Sequence, residues 1–406
     1  FSERHPTSAF GWKAWGSVLV KLNRHHEALP KLLEARHLDP EDSDCLNTLG
    51  TALQRLGHHR EAHDCFAQVI ARRPHFALPH NNLGTLLSDL GRFEEAVACF
   101  DRALAIDPES IEAHSNRGLA LRTLGRDDEA LESYGRILTI RPNAIEVLNK
   151  RAILLHSLGR LDAALGDLDQ ALTIEPDYAD AWTNRGNLLK DQGRLDVAQD
   201  AYRRALEIQP DMLEAWHNRL LALNYQAHVS REEIFEAHRD FGHRLGARVI
   251  RLPSLTDQDR DPARRLRVGL VSGDFRRHSV AFFLLPVLER LDRRAFEVFG
   301  YMTSHQRDDL TRSFQGFVDG WRECAGLGAR ALANQIRADR VDLLFDLSGH
   351  TEGNALPAFA VRPAPVQITW IGYPNTTGLS AMDYRLVDAV TDPLGDAEGF
   401  HSERLI

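Results

Sequence analysis

Lysine is almost missing from this 406-residue chain: Lys13, Lys21, Lys31, Lys150 and Lys190 are the whole complement. Everything after Lys190 relies on arginine for positive charge, which excludes a lysine-bearing phosphate loop from the C-terminal half. Lineage or codon bias is the plainer source of the scarcity itself. Cysteine is scarce too. Cys45, Cys65, Cys99 and Cys324 show no paired spacing of a zinc or dithiol kind, so a reducing cytoplasm is the expected compartment. Nor do His278, His305 and His350 have the paired spacing of metal ligands, and no metal is expected. No apolar run is long enough to span a bilayer, and no charged-then-apolar leader opens the chain. A net charge of -9 without a basic run argues against nucleic acid or an anionic membrane as partner. What remains is 43% hydrophobic and 26% charged, a globular composition at a length that predicts two or three domains.

Proline carries the first positive signal. Pro40, Pro74, Pro108, Pro142, Pro176 and Pro210 recur every 34 residues. The rest of the unit keeps step: Leu83-Gly84, Leu87, Gly91, Ala96, Phe100 and Ala103 precede Pro108, and Leu49-Gly50, Leu53, Gly57, Ala62, Phe66 and Val69 precede Pro74. Cys65 and Cys99 occupy equivalent positions and read as small packing residues. The pattern resembles the tetratricopeptide repeat: small residues let two helices of a hairpin approach, glycine makes the turn, and proline ends the second helix. Such pairs bury their apolar faces only by stacking, which predicts an α-solenoid with a concave surface for a protein or peptide. Six full units fit, with a seventh first helix beginning near Met212. Asn82, Asn116, Asn184 and Asn218 share one offset. As donors and acceptors they suit a clamp on an extended peptide backbone; the competing reading is solvated or capping asparagine.

After Pro210 the glycine and alanine offsets fail while helical spacing continues through Leu220–Tyr225 and Glu232–Leu245, as in a cap. The polar stretch PSLTDQDRDPARR reads as a linker. From Leu266 the period changes. Arg267–Val271, Glu297–Tyr301, Val341–Leu347 and Val366–Ile371 are strand-like runs, separated by helix-like Val280–Leu291, Gln306–Phe317 and Ala329–Asp339. That alternation predicts a mostly parallel sheet covered on both faces, with ligands beyond the C-terminal ends of its strands. The domains are thus repeats over 1–212, capping helices over 213–252, a linker over 253–265 and an α/β Rossmann-like lobe over 266–406.

Three loops follow the strands. His278 stands before Ser279, a good N-cap, and suits a general base or a holder of a polar ligand, unless it is an ordinary surface residue. Asp274 reads as a turn stabiliser. The loops Gly349-His350-Thr351-Glu352-Gly353 and Gly372-Tyr373-Pro374-Asn375-Thr376-Thr377-Gly378 bring an imidazole, hydroxyls and glycines to the same edge.

Repeats joined to RVGLVSGDFRRHS, DLLFDLSGHTEGN, RPAPVQITWIGYPNTTG and MDYRLVD resemble the O-GlcNAc transferase family, including its bacterial members and the plant SPINDLY branch, almost end to end. The resemblance implies that residues 266–406 are the N-terminal catalytic lobe of a two-lobed, inverting, metal-independent glycosyltransferase with no cofactor beyond its donor, UDP-N-acetylglucosamine. It implies a serine or threonine acceptor on a protein guided by the repeats, with His278 as a catalytic-site residue. It further implies substrate-site roles for His350, Thr351, Tyr373, Pro374, Thr376, Thr377 and Gly378, and a peptide clamp at Asn82, Asn116, Asn184 and Asn218. Asn375 stands where many relatives have glycine. The family's second lobe supplies the lysine and helix N-terminus that hold the diphosphate, and this chain stops at Ile406 before it; alone it is expected neither to bind UDP measurably nor to turn over. Two other readings stand beside this one, a non-catalytic peptide-binding scaffold and a protein O-fucosyltransferase using GDP-fucose. Homodimerisation through convex repeat faces is a further expectation.

Overall fold

The computed structural model describes residues 8–253, 261, 263–388, 390, 392, 395 and 397–406. By compactness the chain forms two units, Phe1–Pro176 and Asp177–Ile406. The expected linker 253–265 falls largely outside the described residues. No helix is long and apolar enough to cross a membrane among the described residues.

The first unit is five helix hairpins: α1 (Ala9–Lys21) with α2 (His25–Leu38), α3 (Ser43–Arg55) with α4 (His59–Arg72), α5 (Ala77–Asp89) with α6 (Phe93–Ile106), α7 (Ile111–Thr123) with α8 (Asp127–Ile140), and α9 (Ile145–Ser157) with α10 (Leu161–Ile174). The periodic prolines stand just beyond the second helices, where a missing N–H costs nothing. Gly91 turns the third hairpin at φ +74°, a conformation open to glycine. Gly84 is needed for space instead. A Cβ there would lie 2.6 Å from the Phe100 ring, so glycine lets the ring seat on the partner helix. In the fifth hairpin Ala152 replaces that glycine and Leu168 replaces the ring, both 1% exposed, so a smaller partner accommodates the extra methyl.

The second unit opens with a sixth hairpin, α11 (Ala179–Asp191) and α12 (Leu195–Ile208), then α13 (Leu213–Leu223) and α14 (Arg231–Arg248). Ser230 and Glu233 close a capping box at the start of α14. The lobe runs β1 (Leu266–Ser272), α15 (Ser279–Arg290), β2 (Phe296–Met302), α16 (Asp309–Phe317), β3 (Gly320–Glu323), α17 (Ala329–Ala338), β4 (Leu343–Asp346), α18 (Leu356–Ala360), β5 (Val366–Thr369), β6 (Tyr384–Arg385) and β7 (Arg404–Leu405). Among the described residues the seven strands are all parallel, in the order β3-β2-β1-β4-β5-β6-β7. The sequence pattern misses β3, β6 and β7. Gly-Trp-Arg-Glu at the sheet edge has no apolar run, and the last two strands are only two residues long.

One core joins the helices to the lobe: Ala205, Trp216, Leu220 and Phe241 belong to the same buried cluster as Leu356, Phe359, Leu379 and Met382. That continuity explains why the sixth hairpin is compact with the lobe although its sequence is that of a repeat. The other face of the sheet is sealed by Val280, Leu284 and Phe314 against Val268, Leu270 and Val298.

Candidate active site at the β1–β4 switch

Strand order reverses direction between β1 and β4, and the loops that leave these neighbours diverge to opposite sides, opening a crevice at their C-terminal ends. Gly273 and Gly353 face each other there: a Cβ on Gly273 would lie 3.4 Å from the Gly353 Cα. Thr303 pins the second loop by donating to the Gly353 carbonyl at 2.6 Å.

His278 stands at the end of the β1 loop and itself caps α15; Ser279, the expected cap, is the first helical residue. Extended backbone at His278 (φ -148°, ψ 161°) turns Nδ1 toward the Val280 N–H, which donates to it at 3.4 Å. Asp274 Oδ2 lies 3.7 Å from the same nitrogen. With Nδ1 accepting, the neutral ring carries its proton on Nε2, so the half-exposed imidazole presents a donor to solvent. Asp274 also receives Arg276 at 3.1 Å, while its own N–H is held by Ser272 at 2.9 Å.

The other loop residues occupy a different setting. His350 is 1% exposed, Tyr373 is 3%, and Thr376 and Thr377 are 0%. Glu403, 4% exposed, accepts from both threonine hydroxyls and from the Thr377 N–H at 2.8 Å. Those hydroxyls are committed to fastening the last strand. Tyr373 donates to His238 Nε2 at 2.8 Å and accepts from Asn224 at 2.8 Å; Asn224 in turn accepts from Asn375 at 3.1 Å. His350 bonds the Thr377 carbonyl through Nε2 at 3.0 Å and meets His217 Nδ1 through Nδ1 at 2.9 Å. Burial pushes His217 and His238 down to about 4 and His350 well below the ordinary imidazole range, so all three are neutral near pH 7. Gly378, at φ +77°, presses on α14, where a Cβ would lie 2.0 Å from the His238 carbonyl. Thr351 is half-buried and donates to the Ser348 carbonyl at 2.8 Å, whereas Pro374 is exposed. His278 and Thr351 thus sit on the loops that leave β1 and β4, while His350, Tyr373 and Gly378 lock their loops to the helices and Thr376 and Thr377 hold Glu403 ahead of the last strand. Among the described residues no three His, Cys, Asp or Glu side chains group as metal ligands.

Sequence similarity places this geometry in a family. Residues 213–406 match the sequence model of Glycosyl transferase family 41, and tetratricopeptide models match 47–111, 81–145, 153–193 and 179–212. The chain is 40% identical over 191 residues to the probable UDP-N-acetylglucosamine–peptide N-acetylglucosaminyltransferase SPINDLY of Petunia hybrida, covering 46% of this chain and 20% of that protein. It is 38% identical over 142 residues to the UDP-N-acetylglucosamine–peptide N-acetylglucosaminyltransferase of Caenorhabditis elegans, 34% of this chain and 12% of that one. A variant of Thermobaculum terrenum O-GlcNAc transferase superposes with a TM-score of 0.66 at 34% identity, over 74% of this chain and 57% of the other. The chain thus spans about one fifth of the length of the curated SPINDLY proteins it matches.

In the family 41 region His217, Asn224, His238 and Glu403 escaped sequence reasoning, since each finds its partner far away along the chain. The repeats hid something more legible. Asn82 donates to Asn47 at 3.1 Å and Asn116 to Asn81 at 3.1 Å, so the half-buried asparagines rest on a second, buried column. Asn47 and Asn81 are themselves 34 residues apart, and the same period would have found them. Anchoring through Nδ2 leaves the Oδ1 atoms of Asn82 and Asn116 without a protein donor among the described residues. Asn184 and Asn218, in the second unit, are also half-buried.

Proposed function

We propose that this protein is a glycosyltransferase that moves N-acetylglucosamine from UDP-N-acetylglucosamine to serine or threonine hydroxyls of proteins held by the repeats. The observation that carries this reading is His278, half-exposed at the β1–β4 switch of a family 41 lobe with Asp274 beside it. Its Nε2–H, without a protein acceptor among the described residues, suits a hydrogen bond to a substrate oxygen. Thr351 and the exposed Pro374 are assigned to the donor side of the crevice. His350, Tyr373, Thr376, Thr377 and Gly378 are assigned to holding the loop in register rather than to touching the sugar.

The Oδ1 atoms of Asn82 and Asn116, which no protein donor meets among the described residues, suit acceptance of peptide N–H groups, and Asn184 and Asn218 extend the same role. No cofactor beyond the donor belongs to this reading, and four buried free cysteines suit a cytoplasmic setting. Pairing of two copies through the convex repeat faces is part of it and is checked by sedimentation. The central test is sugar transfer by the whole protein to an acceptor protein. His278→Ala should lower kcat/KM by about a hundredfold or more. Transfer at the wild-type rate would remove His278 from the site.

A further inference from the structure

Lys150 alone interrupts the asparagine row between Asn82 and Asn218. A second departure from the repeat accompanies it. One turn further along the first helices stand Thr51 and Thr85, half-buried, whose hydroxyls donate to the Asn47 and Asn81 carbonyls of their own helices at 3.2 and 3.1 Å. On α7 and α9 the same offset carries Leu119 and Ile153, 53% and 39% exposed. Single exposed aliphatics are ordinary, but two at one offset on consecutive first helices make a patch.

Repeat symmetry places these side chains together. Asn116 on α7 donates its amide to Thr85 on α5 at 3.3 Å. Lys150 and Leu119 each lie 34 residues beyond that pair, so the lysine of α9 stands against the leucine of α7. Lys150 and Ile153 are three apart on α9, as Leu119 and Arg122 are on α7; that spacing puts each pair on one helix face with about 5–6 Å between Cβ atoms. Lys150 and Arg122 are both exposed, and neither has an ion pair among the described residues. Glu146, one turn before Lys150, does not reach it. Two aliphatic side chains flanked by two unpaired cations thus replace the amides at this point of the row.

We propose that this stretch of the repeat groove reads sequence in the bound segment. Leu119 and Ile153 take a bulky apolar side chain, and Lys150 and Arg122 an aspartate or glutamate two residues from it. The inference rests on the asparagine row acting as a peptide clamp. Amides hold any backbone, whereas an aliphatic pair and cations reward particular side chains, so selectivity enters where the asparagine is missing. Side chains two apart in an extended segment share a face at about 6.6–6.8 Å, within reach of the flexible lysine and arginine stems.

Fluorescence anisotropy with two short labelled peptides tests this, one of serine and alanine only, the other identical except for a central Leu-Ser-Asp. The second should bind about tenfold more tightly or better. Leu119→Gln/Ile153→Gln and Arg122→Gln/Lys150→Gln should each abolish that ratio, measured with both peptides on the same variant. Leu90→Gln, at a leucine 44% exposed just beyond α5, should preserve it. Raised salt should erode it. Equal affinity for the two peptides, a ratio that survives either pair of substitutions, or the same gain with Leu-Ser-Lys would overturn the proposal and leave the clamp standing. Binding of neither peptide would remove the clamp, and this proposal with it.

Discussion

His217 and His350 share a single hydrogen bond, Nδ1 to Nδ1 at 2.9 Å, across 133 residues of sequence. Because His350 Nε2 faces the Thr377 carbonyl, it must carry that ring's proton, which makes His350 Nδ1 the acceptor and His217 Nδ1–H the donor. His238 is fixed by the same logic: Nδ1–H donates to the Ile234 carbonyl at 2.7 Å, and Nε2 accepts from Tyr373. The two bonds in which a ring nitrogen accepts, His217 to His350 and Tyr373 to His238, need neutral imidazoles at His350 and His238.

Acid should therefore loosen the junction of α13 and α14 with the lobe. The folded-state values near 4 for His217 and His238 lie below the ordinary 6.5, so between those limits the unfolded chain binds more protons. Stability rises with pH through that window, is complete above about 6.5 and falls away toward pH 4. His238, fully buried, accounts for up to about 3 kcal/mol of this. Urea unfolding at pH 7 and pH 4.5 measures the loss. His350→Gln should flatten the slope, since an amide can replace both of that ring's bonds without titrating.

Backbone meets backbone between α14 and the loop ending at Gly378. A Cβ on Gly242 would stand 1.7 Å from the Gly378 carbonyl oxygen. Gly242→Ala should cost about 3 kcal/mol or more, because the obstacle is backbone and cannot rotate away. Gly246→Ala, in the same helix with nothing within 4 Å, should stabilise by up to about 1 kcal/mol. Thermal melts of the two variants should move in opposite directions.

Gly84 and Phe100 form a size-matched pair, and the Ala152–Leu168 pair shows a second solution at the equivalent positions. Gly84→Ala alone should destabilise by about 1–3 kcal/mol, and adding Phe100→Leu should recover part of that loss. A double-mutant cycle from denaturant melts gives the coupling, expected to exceed about 0.5 kcal/mol. Additive losses would mean that the two sites do not sense each other.

The asparagine columns separate two effects. Asn116→Ala removes both a proposed peptide acceptor and the amide that satisfies Asn81, so it should weaken binding of an acceptor peptide about tenfold and lower stability by about 1 kcal/mol. Asn82→Ala should do the same through Asn47. Peptide titration and thermal melts on the same variants distinguish the two losses.

The repeats and the sheet were legible because periodicity is a local record of burial. A proline every 34 residues, with a turn glycine in step from Gly57 to Gly193, encodes the helix hairpins, and apolar runs encode β1, β2, β4 and β5. His278 was legible for the same reason, being the residue that follows a strand and starts a helix. The loop after β5 was not. Its hydroxyls and His350 look like ligand groups in isolation, and only the return of Glu403 and the approach of His217 and His238 show that their hydrogen bonds are already taken. Those partners come from distant segments, and no spacing along the chain encodes a contact that exists only because α14 lies against the loop at Gly242 and Gly378. The sequence by itself determined the helix hairpins of the repeats and the strands β1, β2, β4 and β5. The tertiary structure decided which polar side chains are spent on holding the fold and which, like that of His278, stay half-exposed.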